Sequence, residues 1–143
     1  MKEWTRLYAV IDTNVLVSSL FSSDGTSSPA QVIKSVLTGN ITPLYNDEII
    51  EEYKEVLSRP KFNFPPSIVE DLISVFSDLG INTYRAKSEE YFPDQDDIVF
   101  YEITMSVDDA YLVTGNIKHF PRKSFVITPF QMVEILREKG LLE

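Results

Sequence analysis

Short apolar runs alternate with helix-length segments along this chain, and that alternation restricts its fold more than any other feature. Leu7 to Ile11 is a buried-strand run ending in Asp12, and Ile41 to Tyr45, Ile81 to Tyr84, Ala110 to Thr114 and Phe125 to Ile127 follow as further strands. Between them lie helical segments. Val15 to Phe21 is the first, and Ser28-Pro29 pairs a cap with a first-turn proline to open a second through about Leu37, stopped by Gly39-Asn40. Asn46 or Asp47 can cap a third that reaches Leu57 before Pro60. After Pro65-Pro66, residues Ile68, Val69, Leu72, Ile73, Phe76 and Leu79 recur at helical spacing, with Gly80 as the C-cap. A polar stretch from Arg85 to Glu90 precedes a helix led in by Asp94, Asp96 and Asp97 and running to about Met105, and Thr128-Pro129 opens the last helix. Strands separated by helices predict a mostly parallel central sheet covered on both faces, an α/β class whose ligands bind beyond the carboxyl ends of the strands.

At 143 residues, 1–143 is expected to be a single domain, and no repeat or linker divides it. The absence of cysteine removes disulfides, thiolate metal sites and cysteine nucleophiles, so a metal must be held by oxygen or by the one histidine. No run approaches the roughly 18 apolar residues that cross a bilayer, and the first residues lack the apolar stretch of a secretion signal, so a cytoplasmic protein with no membrane partner is expected. With 22 acidic against 13 basic residues and a net charge of -9, the surface as a whole repels a polyanion. Contact with nucleic acid would have to be local and assisted by cations.

Three carboxylates fall where the fold rule places a site. Asp12 closes the first strand within Val10-Ile11-Asp12-Thr13-Asn14; it reads either as a turn or cap residue or as a ligand. On a helical wheel Glu52 lies roughly 100° from the centre of the apolar face made by Ile49, Ile50, Tyr53, Val56 and Leu57, whereas Glu51 and Glu55 lie roughly 160° away. Glu52 alone can lean toward a cleft; the plain alternative is a surface residue in an i,i+4 contact. Asp94, Asp96 and Asp97 at a helix start suit the helix dipole, but three acids crowded together call for a counter-cation. Oxygen ligands of this kind suit Mg²⁺ or Mn²⁺. Thr114-Gly115-Asn116 adds a hydroxyl and an amide at the same edge. Beyond it, Lys118, Arg122 and Lys123 form the densest basic cluster, either a set of phosphate contacts or a solvated loop, and His119 is expected to pack or brace that loop.

These motifs together resemble those of the PIN-domain proteins: Val10 to Ser18, then Glu51 to Lys61, then Asp94 to Phe100, then Tyr111 to Asn116 with His119-Phe120-Pro121. The likeness extends from about Tyr8 to Leu136 and is greatest to the branch of toxins from toxin–antitoxin systems. It implies a three-layer α/β/α sandwich and a metal-dependent ribonuclease that hydrolyses RNA phosphodiester bonds. By position, the family's catalytic acids fall on Asp12, Glu52 and Asp97, with Asp94 a further metal-binding acid. Thr13, Asn14, Thr114 and Asn116 stand as supporting residues. Asn116 replaces a fourth acid found in many PIN domains. Asp12 and Asp97 are then expected to hold one Mg²⁺ or Mn²⁺ with the help of Glu52, so that activated water attacks the phosphodiester in line. The partners implied are RNA, a small antitoxin protein and a second copy of the chain. Two alternatives are a catalytically weak or inactive PIN-like domain that binds RNA or protein, and a Mg²⁺-binding receiver-like signalling domain.

Overall fold

The path of the chain follows from where each run of apolar residues can be buried. In the computed structural model, which describes residues 7–142, the elements are β1 (Leu7–Ile11), α1 (Thr13–Phe21), α2 (Ser28–Leu37), β2 (Ile41–Tyr45), α3 (Asp47–Leu57), α4 (Pro66–Leu79), β3 (Ile81–Asn82), α5 (Ile98–Met105), β4 (Tyr111–Val113), β5 (Val126–Ile127) and α6 (Pro129–Glu138). The strands form one sheet in the order β3-β2-β1-β4-β5, and every pairing is parallel. With the six helices this is the expected three-layer α/β/α arrangement. The expectation for the first residues, that they carry no secretion signal, lies outside the described residues. Among the described residues no helix is long and apolar enough to cross a membrane.

β1 is the middle strand, and Ala9, Val10 and Ile11 have no exposed surface. A parallel strand covered by helices on both faces has no solvent side, which is why this run does not alternate. α5 packs across β1, β2 and β4. Six of its eight residues, Val99 to Thr104, are buried, so its sequence is apolar nearly all round rather than striped. The crossovers from β1 to β2 and β3 build the sheet one way, while β4 and β5 build it the other. The reversal opens a crevice beside the carboxyl ends of β1 and β4, the place where such sheets bind ligands.

Several boundaries differ from those the sequence suggests. α1 starts at Thr13, two residues before Val15, so Thr13 and Asn14 belong to its first turn. The cap of α2 is Ser27, whose hydroxyl accepts from Ala30 N at 3.2 Å, rather than Ser28. Asn46 rather than Asp47 caps α3, accepting from Ile49 N at 2.9 Å. β3 stops at Asn82 instead of Tyr84: Thr83 N still donates to Tyr45 O at 2.7 Å, but its hydroxyl then turns back to Ile81 O and Tyr84 leaves the sheet 76% exposed. β4 and β5 are likewise shorter than expected, and the acidic run forms a single 3₁₀ turn, Gln95–Asp97 capped by Asp94, ahead of α5. Gly80 does end α4, but in extended backbone (φ −95°), and a Cβ there would lie 2.4 Å from Pro43 O. Close approach to β2, not a left-handed turn, requires glycine.

Candidate active site

Two aspartates occupy helix-start positions without capping. Asp12 is 6% exposed and precedes α1, yet its side chain makes no capping bond; its Oδ2 instead accepts from Thr114 Oγ1 at 2.8 Å and from Asn14 Nδ2 at 3.2 Å. Asp97 precedes α5, also without a capping bond, and its Oδ2 is buried with no hydrogen-bond partner. His119 Nδ1 lies 3.4 Å from that oxygen, an ion pair only when the imidazole is protonated, and no hydrogen bond joins the two. Asp94 behaves differently. It is exposed and accepts from Asp96 N at 2.9 Å, an ordinary cap of the 3₁₀ turn. The cap explanation therefore holds for Asp94 and fails for Asp12 and Asp97.

Adjacent strand ends align these groups. Asp12 N donates to Val113 O at 2.9 Å and Thr114 N donates to Ile127 O at 2.9 Å, so the parallel ladder carries past β1 and β4 and sets Thr114 beside Asp12. Asn14 closes the arrangement: its amide donates to Asp12 and its carbonyl Oδ1 accepts from Gly115 N at 2.9 Å. The two bonds fix which way the amide points. Thr114 Oγ1, which donates to Asp12, accepts in turn from Asn116 N at 3.0 Å. Glu52 reaches the same place from α3, where Thr13 Oγ1 donates to its Oε2 at 3.2 Å. It is half-buried, while Glu51 and Glu55 are exposed, as the helical wheel predicts.

The charges act on one another. Burial raises the Asp12 carboxyl above its ordinary value against the lowering bond from Thr114, and burial raises Glu52, with repulsion from Asp12 adding to it. Asp97 is pushed up to about 6, first by burial and then by repulsion from Asp12 and Asp94. Three carboxylates that each resist ionisation in one crevice form a site poised for a cation. Among the described residues, no three His, Cys, Asp or Glu side chains are already drawn together as a metal-ligating group. Asp12 and Asp97 nevertheless fit a hard divalent ion: they offer oxygen only, and the unpartnered Oδ2 of Asp97 lacks the donor that a buried carboxylate ordinarily has. Mg²⁺ needs only one or two carboxylates because it retains several waters.

The remaining expected residues are placed less closely. Lys118 and Arg122 are exposed and line a surface hollow of about 410 Å³ with Phe120, Pro121 and Lys123. Lys123 is engaged by Glu90 at 3.4 Å. Asn116 turns its Nδ2 toward His119 Nε2 at 2.9 Å, so His119 braces the loop through Asn116, with Asp97 3.4 Å from its other ring nitrogen. Its place at the acidic crevice was not evident from the sequence, since Asp97 and His119 lie on separate turns, Gln95–Asp97 and Ile117–His119, that only the fold brings together. Two supports were also missed. Tyr53 is buried and donates to Ile11 O at 2.6 Å, tying α3 to the strand that presents Asp12. Arg85 spans Glu48 on α3, at 2.7 and 2.8 Å, and buried Glu102 on α5, anchoring the segment that leads to Asp94 and Asp97. Pairing a buried glutamate is the one signal that could have identified it, and only burial reveals that signal.

No curated protein and no solved structure matches this chain. A family model described as PIN domain matches residues 8–118, a span that includes Asp12, Glu52, Asp94, Asp97 and Asn116. The chain therefore belongs to the PIN-domain family, a nuclease-type fold whose members generally bind divalent metals.

Proposed function

We propose that this protein is a metal-dependent endoribonuclease that hydrolyses RNA phosphodiester bonds, with Asp12, Glu52 and Asp97 as its catalytic acids. The observation that carries the reading is the Oδ2 of Asp97, buried with no hydrogen bond and within electrostatic reach of Asp12 and Glu52, at the crevice beside β1 and β4. Asp12 and Asp97 would hold Mg²⁺ or Mn²⁺, and Asp94 adds negative charge at the rim. Such an ion, when bound, lowers the pKa of water and offsets charge on the scissile phosphate. The protein's own contribution is orientation. Thr114 and Asn14 hold Asp12 in one rotamer, and Thr13 holds Glu52, so each carboxylate meets its ligand without reorganising. Glu52, raised by burial and by Asp12, would accept a proton from the attacking water.

Lys118 and Arg122 supply local positive charge for phosphates in a chain of net charge -9, and the RNA contact is accordingly selective. We assign the protein to the toxin side of a toxin–antitoxin pair on the resemblance of its motifs; an antitoxin and a second copy of the chain are the partners this implies. The test is cleavage of a labelled RNA with Mg²⁺ or Mn²⁺ and with EDTA, using the wild type, Asp12→Asn and Asp97→Asn. Cleavage that needs the ion and disappears in both variants is expected. Undiminished cleavage in both would refute the assignment. A second reading, an RNA-binding domain with weak or no catalysis, draws on Asn116, which faces His119 where many family members carry an acid. It predicts RNA affinity without ion-dependent cleavage.

A further inference from the structure

Three phenylalanines gather at the far end of α1. Phe21, the last residue of that helix, is 59% exposed, yet its ring centroid lies 5.0 Å from Phe64 and 5.9 Å from Phe62. Phe62 and Phe64 stack on each other at 5.4 Å with only 15° between their planes. The segment after α3 builds this pair. Pro60 opens the 3₁₀ turn Pro60–Phe62, and Asn63 adopts a left-handed conformation (φ 55°) that brings the rings on either side of it together. Asparagine is among the few residues that accept that backbone readily.

Cations flank the rings. Lys61 Nζ lies 5.2 Å from the Phe62 centroid and, among the described residues, has no carboxylate partner. Arg59 is paired with Glu55 at 2.8 Å, but both side chains are largely exposed, and a pair of that kind is weak enough to be exchanged for a phosphate. Exposed aromatics interleaved with cations are the composition of surfaces that bind single-stranded nucleic acid. The same two helices lead to the patch and to the acidic site: Glu52 is on α3 and Arg59 lies two residues past its end, and the rise of a helix puts Phe21 about 12 Å along α1 from Thr13.

We propose that the ledge formed by Phe21, Phe62 and Phe64, flanked by Arg59 and Lys61, is a base-stacking subsite for unpaired nucleotides of single-stranded RNA. It rests on the ribonuclease reading for where the scissile bond lies, while its own contact is the face of a base on the exposed ring of Phe21. The three rings offer a base only their faces, so stacking on them selects for strandedness rather than sequence.

The experiment is fluorescence anisotropy of the full chain with a labelled single-stranded oligoribonucleotide in EDTA, where the ion-dependent reaction is stopped. An abasic strand of equal length and a duplex serve as the comparison probes. Phe21→Ala should weaken binding of the base-bearing strand by roughly 5- to 100-fold, with little effect on the abasic strand or the duplex. Phe21→Trp should restore it. Equal affinities of wild type and Phe21→Ala for the base-bearing strand would overturn the proposal, as would no binding by the wild type. If Phe21→Ala converts a dimer to a monomer in sedimentation and leaves RNA affinity unchanged, the ledge is a protein interface and the proposal also fails. Binding that depends on Phe21 without any cleavage by the wild type would sustain the ledge while refuting the ribonuclease; cleavage with Phe21→Ala binding unaltered would do the reverse.

Discussion

Removing the charge of Asp97 should stabilise the protein while abolishing its proposed chemistry. The carboxyl titrates at about 6 in the folded chain against an ordinary 3.8, because it is buried beside Asp12 and Asp94. Between those two values the folded state binds the proton that the unfolded state has released, so stability falls as pH rises from about 3.8 through about 6. Above that window the cost is complete. A shift of this size corresponds to at most about 3 kcal/mol, and relaxation of the acidic loop together with coupling to Asp12 and Glu52 reduces the expected gain to about 1–2 kcal/mol. Asp97→Asn should therefore raise the midpoint of thermal unfolding by roughly 3–8 °C in EDTA at neutral pH. Below pH 3.8, where both states of the wild type carry the proton, the advantage should vanish. Calorimetry of both proteins across this range is the assay, and added Mg²⁺ should stabilise the wild type more than the variant. A variant that is less stable than the wild type in EDTA at neutral pH, or equally favoured at both ends of the range, would refute the electrostatic account of the crevice.

Three other substitutions probe separate parts of the argument. Thr114→Val removes the donor to Asp12 and the acceptor for Asn116 N; ion-dependent cleavage should drop about 10- to 100-fold, with about 1–3 kcal/mol lost in urea unfolding. Tyr53→Phe leaves the ring packed against Phe76 and Phe100 but strips the bond to Ile11 O, which should cost about 1–2 kcal/mol in the same measurement and lower cleavage through Asp12. Gly80→Ala would drive a Cβ into Pro43 O and should cost about 1–3 kcal/mol without altering RNA affinity, since β2 and α4 meet away from the crevice.

Local rules were reliable where a residue's own surroundings decide its conformation. Capping chemistry indicated where α2, α3 and α6 begin to within a residue, and the wheel separated Glu52 from Glu51 and Glu55 because helix geometry alone sets which side chain borders the apolar face. The same rules were silent on Asp12 and Asp97. Both stand where a capping aspartate would stand, and only the neighbouring strand end and the packing of α5 show that neither caps. Strand ends were overestimated at β3, β4 and β5, since an apolar run does not reveal where its partner strand stops.

By itself the sequence determined the alternation of strands and helices, hence the parallel sheet, and the identity of the acids at strand and helix ends. Tertiary structure alone decided the sheet order, and so the crevice between β1 and β4 where the ladder sets Thr114 against Asp12. It also decided that one oxygen of Asp97 is buried without a hydrogen-bond donor, that His119 comes to it from a turn about twenty residues away, and that Phe21 meets Phe62 and Phe64. Periodicity is a property of neighbours along the chain. Desolvation, repulsion between carboxylates and ring stacking depend on separation in space, which the chain acquires only when its layers pack.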